Sequence, residues 1–583
     1  MNYIKLMTEL INAADYTITQ IGEKGHVEYG WSNNIREKIL QFSYQLTRTN
    51  SDGLDTLQNI LKELLCSLKH NIRSGAILDR EVSKGYLSIL YRMIGYNRDI
   101  IDGKGERLLS YMMIYTWYIF FPVLAKFALK CFVDIGDKHI HPYGSWKDIK
   151  YFCEYCRKQK DGLFTQSLIQ YSVSITNEQL KRDTVNYVLN IENISLVAKW
   201  IPREKSSFGW LYNEFACDYY SHYLSSANTA DRLKKATAKC KTDYRKLLSK
   251  LNKHIDTLQI KQCGQKWSSI DFDKVTSVSI YKQKKALLNI KYSGDIRFPG
   301  NKDRIECATK FTSYIQSVVN GETEMKGRRV GMGDFTKQAL QLIDGGNKIE
   351  IDLLNSQWRD NANQNEKMGK IIAMVDVSAS MEGDPMNVGI ALAIRIAEKS
   401  MLGKRVMTFS ATPTWINLEN QDDFVTQVGI IKTAECGMNT NFHAALDKIL
   451  EAIVQNKMSP EDVQDLVLVV LSDMQIERSE DYETCKLYEV MKAKYEAAGI
   501  RLNGKPYKPP HILFWNLKST SGFPSLSTQK NCSMMSGFSP ALLNLFCEKG
   551  ITALQYCTPW SVLEKSLENP RYKIMAEKML QEF

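Results

Sequence analysis

The chain carries at residues 371–380 the stretch Ile371-Ile-Ala-Met-Val-Asp-Val-Ser-Ala-Ser380, an apolar run that ends in an acid followed by two alternate hydroxyls. A short apolar run bounded by turn signals is typical of a buried strand in an α/β sheet. The glycine-bearing loop 381–385 follows, and a helical pattern begins after it. Ligands of such sheets bind just outside the carboxyl ends of the strands. The sequence therefore predicts a ligand site at Asp376, Ser378 and Ser380.

Two later segments extend this site. Thr440 lies in a turn just before a helical pattern, and residues 466–473 read as a second buried strand that ends in an acid, Asp473. Carboxylate and hydroxyl oxygens are hard ligands that suit Mg²⁺. We therefore predict a site for Mg²⁺ (or Mn²⁺). Its predicted ligands are Asp376, Ser378, Ser380, Thr440 and Asp473. The alternative is that these residues are only helix caps and turn residues, which Ser, Thr and Asp also favour.

The order and context of these five residues resemble the metal-ion-dependent adhesion site of the von Willebrand factor A domain. The resemblance implies that the two serines and the threonine ligate Mg²⁺, and that the aspartates act directly or through water. It also implies one coordination position that stays open for a carboxylate of a protein partner. An acidic protein ligand is thus the partner that the resemblance predicts for this part of the chain.

The C-terminal part alternates between strand and helix patterns. Candidate strands are 370–377, 404–410, 466–472 and 511–517, and candidate helices lie near 385–401, 442–455, 481–498, 539–549 and 560–581. Alternation at this spacing predicts a mostly parallel sheet with helices on both faces. We expect residues 366–583 to form a doubly wound α/β domain that resembles the von Willebrand factor A domain.

Residues 1–360 show a succession of amphipathic helical patterns instead. In the segment 51–68, for example, leucines and an isoleucine recur at helical spacing. No strict repeat period is present, which favours an irregular, solenoid-like α-helical array. The polar stretch 355–369 has the composition of a linker. The fold class that we expect is therefore α + α/β.

Length and charge support a division of the chain. At 583 residues it is too long for one hydrophobic core. Residues 371–583 hold 21 Lys+Arg and 25 Asp+Glu, so 55 of the 76 basic and 40 of the 65 acidic residues fall in residues 1–370, a net charge of +15. The helical part is thus the one suited to a polyanion such as RNA.

Basic residues cluster in a helical pattern over 231–261 and continue, interspersed with aromatic residues, to about residue 329. We predict that this region contacts nucleic-acid phosphates. The candidates are Lys234, Lys235, Lys239, Lys241, Arg245, Lys284, Lys285, Arg328 and Arg329. The alternative is that these cations only solubilise a helix surface.

The sequence also bears on the compartment. Its 13 cysteines are an odd number without a regular framework of spacings, which suits a reducing environment. The N-terminus lacks the apolar core of a signal peptide. The uncharged run 108–125 is interrupted by Pro122, and we interpret it as a buried helix pair rather than a membrane span. We expect a soluble cytoplasmic protein without membrane contacts, with association with a virion as an alternative.

Two further clusters have competing interpretations. His139, His141, Cys153 and Cys156 could form a zinc site, but a capping signal at Ser145 places both cysteines on one helix, where two buried cysteines are commonplace. The segment 97–107 packs six charges and two glycines into eleven residues. It is typical of an exposed turn, and a polar loop that recognises a ligand is the alternative.

Catalytic motifs do not emerge from the sequence. It has no phosphate-binding G-x-x-x-x-G-K-[ST] loop, no H-E-x-x-H motif and no G-x-S-x-G motif. A phosphatase that uses an aspartate nucleophile needs a second acid two residues later, and Asp376 is not followed by one. We therefore expect a non-enzymatic binding protein. The alternatives are a metal-dependent phosphoryl or nucleic-acid hydrolase, which needs a second metal or a positioned base, and a structural assembly component of a virion.

Two broader resemblances cover most of the chain. A helical array followed by a metal-site α/β domain resembles the Ro autoantigen (TROVE) proteins, in which a ring of helical repeats binds misfolded or small noncoding RNA. Several stretches also resemble a domain-of-unknown-function family of plant, fungal and giant-virus proteins. These stretches are 97–107, 143–148, 199–202, 376–381, 514–517 and 536–540. The second resemblance implies an architecture and no activity.

Overall fold

The computed structural model describes residues 18–583 except 24, 26, 138, 160, 192–193, 410–412, 434–441, 476–486 and 547–556. Up to residue 362 it is mainly helical, as predicted, after a short antiparallel ribbon of β1 (Thr19–Ile21) and β2 (Val27–Tyr29). The helices are α1 (Ile35–Gln45), α2 (Ser51–Ser74), α3 (Ile77–Arg98), α4 (Leu108–Phe120), α5 (Pro122–Cys131), α6 (Lys147–Arg157), α7 (Gly162–Val188), α8 (Val197–Trp200), α9 (Gly209–Tyr219), α10 (Ser221–Ser225), α11 (Ala230–Ile255), α12 (Leu258–Cys263), α13 (Ser277–Leu287), α14 (Lys302–Val319), α15 (Met332–Ile343) and α16 (Lys348–Ala362).

The C-terminal part is built on one mixed sheet. Its strands are β3 (Ile371–Asp376), β4 (Arg405–Phe409), β5 (Thr414–Asn417), β6 (Val467–Ser472), β7 (His511–Asn516) and β8 (Cys532–Ser536), in the order β5-β4-β3-β6-β7-β8. Only the β4/β5 pair is antiparallel. The helices are α17 (Asp384–Lys399), α18 (Phe424–Thr433), α19 (Phe442–Gln455), α20 (Pro460–Gln464), α21 (Leu487–Asn503), α22 (Pro559–Leu567) and α23 (Lys573–Glu582). The α + α/β class and the four predicted strands are confirmed.

Some elements differ from the predictions. β5 and β8 were not predicted, and a 3-10 helix spans Pro540–Phe546 where an α-helix was expected. The helix expected over 560–581 is divided into α22 and α23, because Pro570 opens a separate turn between them. The first residues of the helix expected at 481–498 lie outside the described residues, and α21 continues to Asn503.

The chain adds strands to the sheet first on one side of β3 and then on the other side. From β3 the chain passes through α17 to β4 on one side, and it later returns through α19 to β6 on the other side. Right-handed crossovers then require α17 and α19 to lie on opposite faces of the sheet. The carboxyl ends of β3 and β6 therefore flank the point at which connections leave in opposite directions, where ligands of open α/β sheets bind.

The linker prediction at 355–369 was wrong for its first part, which belongs to α16. Trp358 on this helix is buried and stacks on Phe424 of α18, with the ring centroids 3.9 Å apart. Its indole N–H donates to Glu398 at 2.8 Å, and the Arg395 guanidinium lies over the ring. Polar composition alone suggested a linker, but the single tryptophan anchors the helix to the α/β part.

The N-terminal residues also pack on the sheet. Tyr29 exchanges two backbone hydrogen bonds with Phe523, and the backbone N–H of Ser527 donates to the buried Glu37 carboxylate at 3.0 Å. Helices α1 and α22 pack against β8. Covering the edge strand in this way leaves it unavailable for pairing with another chain. One hydrophobic core therefore runs through both the helical and the α/β parts, and a second, smaller cluster lies among residues 270–353 of the helical part.

The charge-rich segment 97–107 is not the exposed turn that we expected. Arg98 and Asp148, both fully buried, form two hydrogen bonds of 2.8 Å. Asp99 pairs in the same bidentate way with Arg571, at 2.6 and 2.7 Å. The buried Lys104 ammonium donates to the carbonyls of Ser43 and Leu46 and to the Ser536 hydroxyl. Because these partners come from distant parts of the chain, the segment ties the helical part to the C-terminal part.

The apolar run 108–125 forms the predicted helix pair, with α4 almost wholly buried and α5 starting at Pro122. Across the residues that the structure describes, no helix combines the length and the apolar character that crossing a membrane requires.

A candidate metal centre at the carboxyl ends of β3 and β6

The site begins with two neighbouring strand ends. β3 and β6 are parallel with Val375 opposite Leu471, so Asp376 comes beside Ser472. The Ser472 hydroxyl donates to Asp376 Oδ2 at 2.7 Å, and the backbone N–H of Ser378 donates to Asp376 Oδ1 at 2.9 Å. Both contacts hold the buried carboxylate in one orientation.

The two predicted serines lie together. Ser378 Oγ and Ser380 Oγ are 3.0 Å apart, with Ser378 buried and Ser380 half-buried. A 3-10 turn over Ala379–Met381 and Gly383, whose φ is +97°, lead from these serines into α17. The left-handed conformation at position 383 suits glycine, because a side chain there would be strained.

Asp473 follows β6 directly and is fully buried. Its Oδ1 accepts from the backbone N–H of Gln475 at 3.2 Å, whereas its Oδ2 accepts no hydrogen bond from the described residues. Among the described residues the nearest cation is Lys518, whose Nζ lies 3.9 Å from Asp473 Oδ2 and donates to the Ser380 carbonyl at 2.8 Å. The negative charge on the buried Asp473 Oδ2 is thus only partly balanced. Burying it in this way costs free energy unless a further positive group binds there.

The electrostatics of Asp376 and Asp473 also favour a bound cation. Burial, and then the neighbouring Asp473 carboxylate, raise the pKa of Asp376 to about 6. Two acids that are buried side by side repel each other when both are ionised. A cation between them removes that cost, and the hydroxyls of Ser378 and Ser380 add neutral oxygen donors. These residues therefore fit a hard divalent cation such as Mg²⁺.

The structure brings four of the five predicted ligands to one place: Asp376, Ser378, Ser380 and Asp473. Thr440, the fifth, lies outside the described residues. The described residues contain no cluster of three or more His, Cys, Asp or Glu side chains able to hold a metal. The predicted ligand set has only two acids and relies on hydroxyls for the remainder.

Sequence reasoning missed Ser472 and Lys518. Ser472 was treated as part of the apolar strand, although its position directly before Asp473 and opposite Asp376 places its hydroxyl at the site. Lys518 follows the candidate strand that became β7, and its place beside β6 depends on a strand order that the sequence did not reveal. Ligands of α/β sheets bind at the carboxyl ends of parallel strands, and this rule is the signal in the sequence that could have predicted a role for Ser472 and Lys518.

A cleft of about 590 Å³ lies between the helical part and the loop after β7, and none of the four described ligand candidates lines it. Arg48, from the α1–α2 connection, lies 3.6 Å from Asp384 Oδ2 and over the Phe538 ring. Lys518 also lines this cleft. Its walls hold two cations, Arg48 and Lys518, and two acids, Glu23 and Asp384.

The nine residues predicted to bind nucleic acid are spread over a long surface. Lys234, Lys235 and Lys239 are exposed on α11, and Arg245 is exposed but pairs with Glu204 at 3.2 Å. Lys241 and Lys285 are half-buried, and Arg328 and Arg329 are exposed. Lys284 is a correction. It is buried and lies 3.4 Å from Glu350, so its charge is neutralised inside the fold.

The zinc alternative gains no support. Cys153 and Cys156 are both fully buried on α6, as the helix interpretation predicted, whereas His139 and His141 are exposed. Buried cysteines on a helix face behave as small apolar side chains.

The fold and the site thus define a protein with a helical part packed on a mixed, mainly parallel α/β sheet, and with a pair of buried acids at the switch point of that sheet. Residues 163–371 match a family described as a domain of unknown function (DUF2828), and residues 370–578 match another (DUF7788). The two matches meet at the start of β3. The chain is also 28% identical, over 501 residues, to the uncharacterized protein L728 of Acanthamoeba polyphaga mimivirus, and the similarity covers 83% of this chain and 79% of the viral protein. The chain is therefore similar to proteins of unknown function, one of which comes from a giant virus.

Proposed function

We propose that the chain is a non-enzymatic binding protein whose C-terminal part, a domain of the von Willebrand factor A type, binds Mg²⁺ (or Mn²⁺) and a carboxylate of a protein partner. The observation that carries the proposal is the buried Asp473 Oδ2 beside Asp376, which accepts no hydrogen bond from the described residues, next to two convergent serine hydroxyls. Asp376, Ser378, Ser380, Asp473 and Thr440 would hold the ion. When bound, the ion supplies positive charge and an open position for an anionic ligand.

The residues around the site support an anionic partner. Lys518 lines the neighbouring cleft and its Nζ lies 3.9 Å from Asp473 Oδ2, whereas Arg48, on the same cleft, is paired with Glu106 and Asp384. Such a charge raises the rate at which a ligand of opposite sign arrives and orients it. Lys518 is therefore the described cation that favours an acidic side chain of a partner at this site.

Calorimetric titration with Mg²⁺ tests the proposal. Asp376→Ala is expected to abolish binding, because it removes the carboxylate that ends β3 and accepts a hydrogen bond from Ser472 at the end of β6. Circular dichroism should show little loss of secondary structure. Asp384→Ala is the matched control, since Asp384 is also an acid of this loop but pairs with Arg48 and Lys337. It should retain wild-type affinity. Unchanged Mg²⁺ affinity in Asp376→Ala would refute the assignment.

We also predict that the purified protein hydrolyses neither phosphate esters nor RNA in Mg²⁺ or Mn²⁺. Both acids of the site belong to the proposed ligand set, so neither is free to act as a general base. The comparison is with a variant that carries Ser378→Ala and Ser380→Ala, in which the hydroxyl donors are lost. If the wild type shows metal-dependent hydrolysis and this variant does not, the protein is an enzyme.

A second candidate function is the binding of RNA or another polyanion by the helical part. It is supported by a groove of about 1160 Å³ between residues 198–205, α11 and α12. Seven cations and two acids line it: Lys199, Arg203, Lys205, Arg245, Lys253, Lys261 and Lys266, with Glu204 and Asp256. The acids pair with Arg245 and Lys261, which leaves five cations facing the groove. Because the helical part is bonded to the sheet, its binding of RNA is best tested with the full chain.

A further inference from the structure

We propose that lysines converging on Trp200 bind the phosphates of a single-stranded nucleic acid, whose neighbouring nucleotides extend into the adjoining groove. We call Lys147, Lys150, Lys199, Trp200 and Tyr151 the Trp200 cluster. The inference rests on the proposed polyanion binding by the helical part. It assigns that binding to a defined place, which is not the outer surface of α11 that the sequence indicated.

The geometry of the Trp200 cluster is unusual for lysines. Lys147 and Lys150 are one turn apart on α6, and Lys199 precedes Trp200 on α8. Their ammonium groups lie 5.5, 5.3 and 5.4 Å from the centre of the indole ring. A cation within about 6 Å of a ring centroid is attracted by the ring, and all three ammonium groups meet this limit. Three like charges therefore share one indole ring and repel one another.

In the described part of the chain these lysine charges have no acidic partner. Among the residues that the structure describes, none of the three lysines forms an ion pair, and the adjacent Asp148 is already held by two bonds from Arg98. Burial, followed by the nearby charges of Arg107, Lys282 and Lys150, lowers the pKa of Lys147 to about 8. Like charges that are partly desolvated together are unfavourable in the free protein and favour the binding of an anion.

Aromatic rings beside the lysines point to a nucleic-acid strand. Tyr151 and Phe208 meet edge to face, with their centres 5.5 Å apart, and the Lys150 ammonium lies within 5.6 Å of both. Trp200, Tyr151 and Phe208 are half-buried, so each keeps an accessible part. Backbone cations combined with aromatic platforms are the usual way in which proteins bind single strands.

The groove favours a single strand over a duplex. It is a concave groove lined by Lys199 and Trp200 at the end of α8 and by the C-terminal end of α11. Sequence readers of duplex DNA instead present a protruding helix or ribbon to the major groove. A flexible strand can follow such a groove with its phosphates against the cations and its bases against the rings.

The test compares two triple variants of the full chain in their binding to a fluorescein-labelled oligouridylate of about 20 nucleotides, which exceeds the site of a typical single-strand-binding fold. One variant carries Lys147→Gln, Lys150→Gln and Lys199→Gln. The matched control carries Lys234→Gln, Lys235→Gln and Lys239→Gln, the same loss of charge on the exposed side of α11. Fluorescence anisotropy is measured over a range of salt concentrations, with duplex RNA and heparin as further ligands.

We expect the Trp200-cluster variant to lose at least tenfold in affinity at moderate salt. Its slope of log K against log salt should fall by about 2, because each single-strand phosphate contact contributes about 0.7. Its melting temperature should not fall, since the substitutions relieve repulsion. The α11 control should bind as the wild type does. If the control loses binding and the cluster variant does not, or if neither does, the inference is wrong while polyanion binding stands. Equal affinity for heparin or duplex overturns the single-strand assignment, and a wild type that binds none of these ligands overturns both proposals.

Discussion

Asp148→Ala is expected to destabilise the protein by about 3–5 kcal/mol, the usual effect of leaving one partner of a buried ion pair uncompensated. The Asp148 carboxylate accepts two bonds from Arg98, one from the Tyr111 hydroxyl at 2.7 Å and one from the Ser145 backbone at 2.8 Å. Arg98 has no other carboxylate partner among the described residues. Its charge would stay buried without a counter-ion, and chemical denaturation should show a large decrease in the unfolding free energy.

The control for this prediction is Arg157→Ala on the same helix. Arg157 pairs with Glu154 at 3.0 Å on the surface, where ion pairs contribute little, so the unfolding midpoint should hardly change. A double variant, Arg98→Met with Asp148→Leu, should recover part of the lost stability, because apolar residues can replace a buried pair. Equal, small effects of Asp148→Ala and Arg157→Ala would show that the Arg98–Asp148 pair is not buried as described.

Asp376→Asn is expected to stabilise the metal-free protein while abolishing its response to Mg²⁺. Burial and then Asp473 raise the pKa of Asp376 from 3.8 to about 6. Folding therefore disfavours the ionised form of the Asp376 carboxylate. Ionisation does not reduce the stability of the fold below about pH 4, reduces it increasingly as the pH rises from about 4 to 6, and has its full effect above about pH 6. The asparagine avoids this cost, which amounts to about 3 kcal/mol at 1.36 kcal/mol per pKa unit.

Thermal denaturation in EDTA at pH 7.5 and at pH 4 measures the effect. The variant should melt at a higher temperature than the wild type at pH 7.5 and at the same temperature at pH 4. Adding Mg²⁺ should raise the midpoint of the wild type alone, because a ligand that binds only the folded state stabilises it. If Asp376→Asn is less stable than the wild type at pH 7.5 in EDTA, the ionised Asp376 carboxylate does not destabilise the metal-free fold.

The C-terminal fold could be predicted because its signals are local. Buried parallel strands such as β3 and β6 are continuous apolar runs, and each ends in an acid that marks its carboxyl end. β8, with the sequence Cys-Ser-Met-Met-Ser, lacks the β-branched residues that signal a strand, and its burial depends on α1 and α22. The strand was missed because tertiary packing, rather than propensity, makes it.

The function of charged residues was harder to predict. The segment 97–107 has the same composition whether its charges are solvated or paired, and its partners Asp148, Arg571 and Ser536 are 50 to several hundred residues away. The Trp200 cluster was overlooked for the same reason, since its lysines come from two separate helices. Charge runs along one helix, such as α11, are visible in a sequence, whereas charges that converge in space are not.

We propose that one metal ion binds between the strand ends. Its ligands would be Asp376, Ser378, Ser380, Thr440 and Asp473. Anomalous diffraction from crystals of the protein soaked in Mn²⁺ tests it most directly. We expect a single strong anomalous peak at the carboxyl ends of β3 and β6, within bonding distance of the hydroxyl oxygens of Ser378 and Ser380. No peak there at saturating Mn²⁺, or a structure that places Thr440 or Asp473 far from Ser378, would contradict the account.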